Sequence, residues 1–99
     1  MADYLWKGKG MQYLHKRMHL NEGDTVVVNC SHQCNILMTT DSNFNSYRSG
    51  SRFQHHGGGG FFKRPPAHLH VPYSGYWNIT LDLGGGAASI QHSISVIPA

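Results

Sequence analysis

The sequence predicts an all-β protein: a compact antiparallel β-sandwich or partly open barrel of about six or seven short strands, with one short helical turn. Apolar residues recur at every second position in several segments, which is typical of strands that bury one face. Charged residues make up 13% of the chain, about half the usual share. Turn residues separate the alternating segments. A single domain spanning residues 1–99 is expected.

Three strands are predicted in the first half of the chain: Gln12–Leu20, Thr25–Cys30 and Asn35–Thr40. The turn residues Asn21-Glu22-Gly23-Asp24 join the first two. Valine dominates the second strand, so parts of both its faces are expected to be covered.

The first strand has two distinct faces. One face is apolar and is expected to point inward, whereas the other carries Tyr13, His15, Arg17 and His19. Charged side chains protect the edge of a sheet from pairing with other chains. We interpret this strand as an edge strand, in preference to a stripe that binds a partner.

A short helix is predicted between Asp41 and Gly50, with Asp41 as its N-cap and Gly50 at its end. Phe44 and Tyr47 lie three residues apart, so both fall on one side of such a helix. Ser and Asn are weak helix formers, which limits it to about two turns.

The second half of the chain begins with a loop over Gly57–Pro66 and an extended segment over Ala67–Tyr73. The clearest alternation follows at Tyr76–Leu83. Its predicted core face carries Trp77, Ile79, Leu81 and Leu83, and its predicted solvent face carries Tyr76, Asn78, Thr80 and Asp82.

A C-terminal hairpin is predicted because the loop Gly84–Ala88 is followed by a second alternating segment, Ile90–Ile97. His92 is in phase with Ile94 and Val96. It is therefore expected to be a core histidine with a satisfied hydrogen bond.

The chain is mildly basic, with a net charge of +3, a pI of about 9.1 and eight histidines. Dedicated nucleic-acid binders concentrate more charge on one face, so a nucleic-acid partner is disfavoured. No segment approaches ~20 apolar residues, and the first residues do not resemble a signal peptide. We expect a cytoplasmic protein without membrane contact, whose exposed strand edges allow a homodimer.

His68 and His70 are candidate metal ligands. Two residues apart on a strand, both imidazoles point to the same side, ~6.6 Å apart along the chain. Cupin-type metal enzymes use such a pair, but they also need a Glu a few residues later, and Val71–Trp77 contains no acid. The other interpretation is a pair of solvent-facing histidines opposite a buried Leu69. We expect no cofactor, with a divalent metal at His68 and His70 as the alternative.

The two cysteines, Cys30 and Cys34, are too few for a disulfide scaffold. Fully extended they would lie ~13 Å apart, although a turn would bring them closer. Cys30 is in phase with Val26 and Val28, so it is expected to face the core. Neither cysteine shows the sequence pattern of a catalytic nucleophile, and no catalytic residues are predicted.

The segment HHGGGGFFKR is the candidate ligand-binding site, comprising His55, His56, Phe61, Phe62, Lys63 and Arg64 around four glycines. Aromatic rings stack on planar ligands and cations attract anions. Four glycines give a mobile loop unless a partner or close backbone packing fixes it. The structural interpretation is that the phenylalanines cap the sandwich while the cations keep the loop soluble.

The pieces NILMTTDSNFNSYRSG (residues 35–50), the glycine run and PYSGYWNITLDLGGG (residues 72–86) resemble a small bacterial family of uncharacterised domains. Members stand alone at about this length or sit beside a Toll/interleukin-receptor-type signalling domain. The resemblance spans nearly the whole chain. It implies a stand-alone sensing or binding module and brings no catalytic residues with it.

We favour a non-enzymatic binding module, associated with signalling, that presents the glycine-rich loop with Lys63, Arg64 and a phenylalanine to an anionic ligand or a protein partner. One alternative is a metal-dependent, cupin-like enzyme with His68 and His70 as ligands. The other is a weak binder of single-stranded nucleic acid.

Overall fold

Two antiparallel sheets form the protein, which confirms the predicted fold class. The computed structural model describes residues 3–7, 11–82 and 91–99, and side chains for residues 13–82 and 91–99. The elements in chain order are β1 (Asp3–Lys7), β2 (Met11–Leu20), β3 (Thr25–Cys30), β4 (Cys34–Thr39), α1 (Asp41–Arg48), β5 (Gly60–Phe62), β6 (Ala67–His70), β7 (Gly75–Asp82) and β8 (His92–Ile97).

The larger sheet has five strands in the order β1-β2-β7-β4-β5, and the smaller sheet has three in the order β6-β3-β8. β2 lies between β1 and β7, with its register running from Tyr13 opposite Asp82 to Leu20 opposite Gly75. The interpretation of this strand as an edge strand is therefore wrong. In the short β1, three apolar or aromatic residues are consecutive and show no alternation that could predict a strand, yet β1 covers the outer edge of β2.

The core lies between the two sheets and follows the predicted alternation. Val26 and Leu69 of the smaller sheet pack in one cluster with Trp77 and Ile79 of the larger sheet, and all four are fully buried. Burying a large apolar side chain stabilises a fold by about 1.5–3 kcal/mol. The layer between the sheets is thus the main source of stability.

The helix α1 covers the other face of the larger sheet. Thr40, and not Asp41, is its N-cap, because Oγ1 of Thr40 accepts from the backbone N–H of Asn43 at 3.4 Å. Phe44 and Tyr47 are buried, as predicted, and they pack with Tyr13.

This covering corrects the predicted solvent face of β7. Asn78, Thr80 and Asp82 are buried, because α1 lies over the side of the sheet that alternation assigned to water. Tyr13 is buried for the same reason, whereas Arg17 and His19, farther along β2, are exposed as expected. β7 alternates between apolar and polar residues although both of its faces are covered, so the alternation of polarity did not reveal the second layer.

β7 and β8 do not form the predicted hairpin. β8 pairs with β3 in the smaller sheet, whereas β7 pairs with β2 and β4 in the larger one. The predicted loop over residues 84–88 and Ile90 lie outside the described residues. His92 is exposed and not a core histidine, because it lies opposite Cys30 at the last position of β3, where the sheet ends.

The described part of the chain contains no helix with the length and hydropathy that a membrane crossing requires.

Candidate functional site

The glycine run is fixed between the two sheets by backbone hydrogen bonds. The N–H of His56 donates to the carbonyl of Met38 on β4 at 2.9 Å. The carbonyl of Gly57 accepts from the N–H of His70 on β6 at 3.0 Å. Three of the four glycines are half-buried, so the segment is packed against the sandwich and is not the outlying loop that the sequence suggested.

Close approach of the backbone explains why glycine occupies this segment. A Cβ atom on Gly57 would lie 2.5 Å from Cε of Met38 and 2.6 Å from the carbonyl oxygen of His70. A Cβ atom on Gly59 would lie 2.5 Å from the carbonyl oxygen of Ile36. Gly57 also has a φ of +78°, which side chains rarely adopt. Close backbone packing, one of the two ways of fixing the loop, is therefore the one observed.

The two phenylalanines have different roles. β5 pairs with β4, with Phe61 opposite Asn35 and Phe62 opposite Cys34. Phe62 is half-buried and packs against the core, whereas Phe61 on the opposite side is 54% exposed. Phe61 is thus free to contact a ligand, and Phe62 anchors the strand.

Lys63 and Arg64 follow β5 directly, and both are exposed. The acids Asp24, Asp41 and Asp82 are hydrogen-bonded elsewhere. Among the side chains that the structure describes, the single ion pair joins Asp41 to Arg17, and not to Lys63 or Arg64. Phe61, Lys63 and Arg64 therefore form an exposed aromatic and cationic surface at the last strand of the larger sheet; we call these three residues the β5 surface.

The two histidines before the glycines diverge. His55 is exposed and lies beside Gly59. His56 is half-buried, and its ring contacts Trp77 edge-on with ring centres 5.4 Å apart. The sequence grouped both with the ligand-binding residues, but the structure directs His56 toward the aromatic residues at the start of β7.

His68 and His70 are exposed on the outer face of β6, with Leu69 buried between them, as alternation predicts. Among the described side chains, no three His, Cys, Asp or Glu residues come together as metal ligands would. The metal role of the pair stays a prediction.

A polar cluster that the sequence did not reveal joins α1 to the larger sheet. Arg17 Nε and Nη2 donate to the two carboxylate oxygens of Asp41 at 3.0 and 2.9 Å. Asn78 donates from Nδ2 to Asp41 at 2.7 Å, and its Oδ1 accepts from Nε2 of His15 at 2.6 Å. The hydrogen bonds from Arg17, then the one from Asn78, lower the pKa of Asp41. The residues come from three separate elements, and no local pattern connects them.

The model of a protein family described as a domain of unknown function, DUF1883, matches residues 11–99. A search of curated proteins found no match, and a search of solved structures found none.

Proposed function

The chain belongs to the DUF1883 family of domains of unknown function, and we propose that it is a non-enzymatic binding module. The β5 surface contacts an anionic ligand, most simply an acidic segment of a partner protein. The observation that carries this proposal is the exposure of Phe61, Lys63 and Arg64 within four residues, on and directly after a strand that pairs with β4.

A fixed backbone supports binding because a preorganised surface loses little conformational entropy when its ligand arrives. Hydrogen bonds at His56 and Gly57 hold one end of the segment, and the pairing of β5 with β4 holds the other. Phe61 therefore projects from a paired strand, and Lys63 and Arg64 follow the end of that strand directly.

The chemistry of the surface favours an anionic, partly apolar ligand. Lys63 and Arg64 attract negative charge, and arginine pairs with carboxylates through two parallel hydrogen bonds. Phe61 supplies apolar area beside the cations. A signalling association, which the family resemblance implied, fits a module that recognises a protein segment, and we retain it as part of the proposal.

Fluorescence anisotropy with a labelled peptide rich in Glu and Asp, containing one aromatic residue, tests this role. At ~50 mM salt we expect measurable binding that weakens as salt is added, because exposed charges are screened. Replacing Lys63 and Arg64 together with Ala should weaken binding about tenfold, which corresponds to about 1.4 kcal/mol.

The matched control replaces Lys16 and Arg52 with Ala, which removes the same net charge elsewhere. We expect this control to bind almost as tightly as the unchanged protein. Equal losses in the two double variants would contradict a role for the β5 surface and leave only general attraction by net charge.

A further inference from the structure

The two cysteines meet where the chain passes from one sheet to the other. Cys30 is the last residue of β3 and Cys34 the first residue of β4. The intervening turn brings their Sγ atoms to 3.7 Å, and both thiols are free. Since a disulfide bond is ~2.05 Å long, side-chain rotations that close about 1.7 Å would join them.

A pocket of about 290 Å³ opens beside this pair. Cys30 lines the pocket and is 8% exposed, whereas Cys34 does not line it and is 2% exposed. The other lining residues are polar: Asn29, Ser31, Gln91, His92 and Ser93. Of the two cysteines, a small polar molecule that enters the pocket therefore contacts Cys30 first.

The buried thiol is held in its protonated form. Burial, followed by the neighbouring Cys30, raises the pKa of Cys34 to about 12. The thiolate is the reactive form of cysteine, so Cys34 reacts slowly with reagents from solution. Its nearest partner for reaction is the sulfur of Cys30.

We propose that Cys30 and Cys34 form a dithiol site that is oxidised to an intramolecular disulfide by a small organic disulfide entering the pocket. Cys30 is the attacking residue and Cys34 the resolving residue. Nothing in the proposed binding role requires this site, which lies at the β3–β4 turn.

The exchange has two balanced steps. The Cys30 thiolate attacks one sulfur of R–S–S–R, the S–S bond of the reagent breaks, and one RS⁻ leaves and takes up a proton. The Cys34 thiol then loses its proton, its Sγ attacks Sγ of Cys30, and the bond from Cys30 to SR breaks to release the second RSH. Two protein thiols are oxidised to one disulfide, and the reagent is reduced to two thiols.

Intact-mass spectrometry of the full chain exposed to 2-hydroxyethyl disulfide, a small neutral disulfide, at pH 8 tests the proposal. Samples are quenched in acid and treated with an alkylating agent under denaturing conditions. We expect a transient mercaptoethanol adduct that gives way to a chain lacking two hydrogen atoms and accepting no alkyl group. Persistence of two alkylatable thiols, a stable adduct or a disulfide between two chains would overturn the proposal.

The two single variants separate the roles of the cysteines. Cys34→Ser should accumulate a stable mercaptoethanol adduct on Cys30, and Cys30→Ser should react at least tenfold more slowly, because Cys34 is shielded and protonated. Equal rates in the two variants would contradict the order of attack. Circular dichroism checks that each variant folds, and the transient adduct on the unchanged chain tests the same order without any substitution.

Discussion

Oη of Tyr47 on the helix donates a hydrogen bond of 2.5 Å to Oδ2 of Asp82 on β7. Both residues are buried, and burial, followed by this hydrogen bond, raises the pKa of Tyr47. The contact fastens the helix to the larger sheet at the opposite end of α1 from the Arg17–Asp41 ion pair. It also explains why Asp82, which alternation assigned to water, is buried.

Replacing Tyr47 with Phe should lower the free energy of unfolding by about 1.5–3 kcal/mol, because a buried carboxylate loses one charge-assisted donor. Urea denaturation measures the loss. The control is Tyr73→Phe, since Tyr73 is exposed. If Tyr47→Phe unfolds at the same urea concentration as the control, the hydrogen bond contributes nothing to stability.

The raised pKa of Cys34 predicts a loss of stability in alkaline solution. The pKa is about 12 in the folded protein, against an ordinary value of 9.0. Above pH 9 the unfolded chain releases the thiol proton while the folded chain keeps it. The contribution of Cys34 to the free energy of unfolding should therefore be constant below that pH and fall as pH rises toward 12, by up to about 1.4 kcal/mol per unit.

Urea denaturation at a series of pH values between 8 and 10 checks this slope in the presence of a reducing agent. Besides burial, Cys30 and Asp82 raise the pKa of Cys34. Cys34→Ser removes the titrating thiol and should reduce the slope over this range, most clearly below pH 9.5; the slope that remains near pH 10 belongs to groups such as Tyr47, whose pKa is also raised. An unchanged slope in that variant would assign the effect to other groups.

Glycine at position 57 should be required for packing as well as for backbone conformation. Gly57 and Gly58 both have positive φ angles, but only at Gly57 would a Cβ atom contact other residues. Gly57→Ala should therefore cost about 1–3 kcal/mol more than Gly58→Ala. Thermal denaturation of the two variants measures the difference, and equal losses would show that the segment does not pack tightly.

The sequence predicted the layer between the sheets well because each strand there has a distinct apolar face. Trp77, Ile79 and Leu81 alternate along β7 and are all fully buried. Cys30 also faces the core, as its phase with Val26 predicted. In each case the alternation of residues along one strand was enough to predict which side chains are buried.

The second layer was not predictable in the same way. Asp82 is buried because α1 lies over it, and the phase of alternation does not record what covers a sheet from outside. The pairing of β8 with β3 was likewise hidden, since a short connection after β7 favours a hairpin over a crossing to the other sheet. Both errors concern contacts between segments distant in the chain.

The exposure of some candidate site residues could be predicted from the sequence, but their arrangement could not. Lys63 and Arg64 are exposed, as expected, whereas Phe62 packs inward and His56 turns toward Trp77. The glycine run packs against backbone carbonyls of β4 and β6. The spacing of residues in the sequence does not reveal this packing.

An NMR titration of the isotope-labelled protein with the acidic peptide locates directly the surface that the peptide contacts. The β5 surface predicts that the largest amide shift changes fall at residues 60–64 and shrink as salt is added. Largest changes at residues 29–31 and 91–93, or small changes spread over the whole protein, would contradict it.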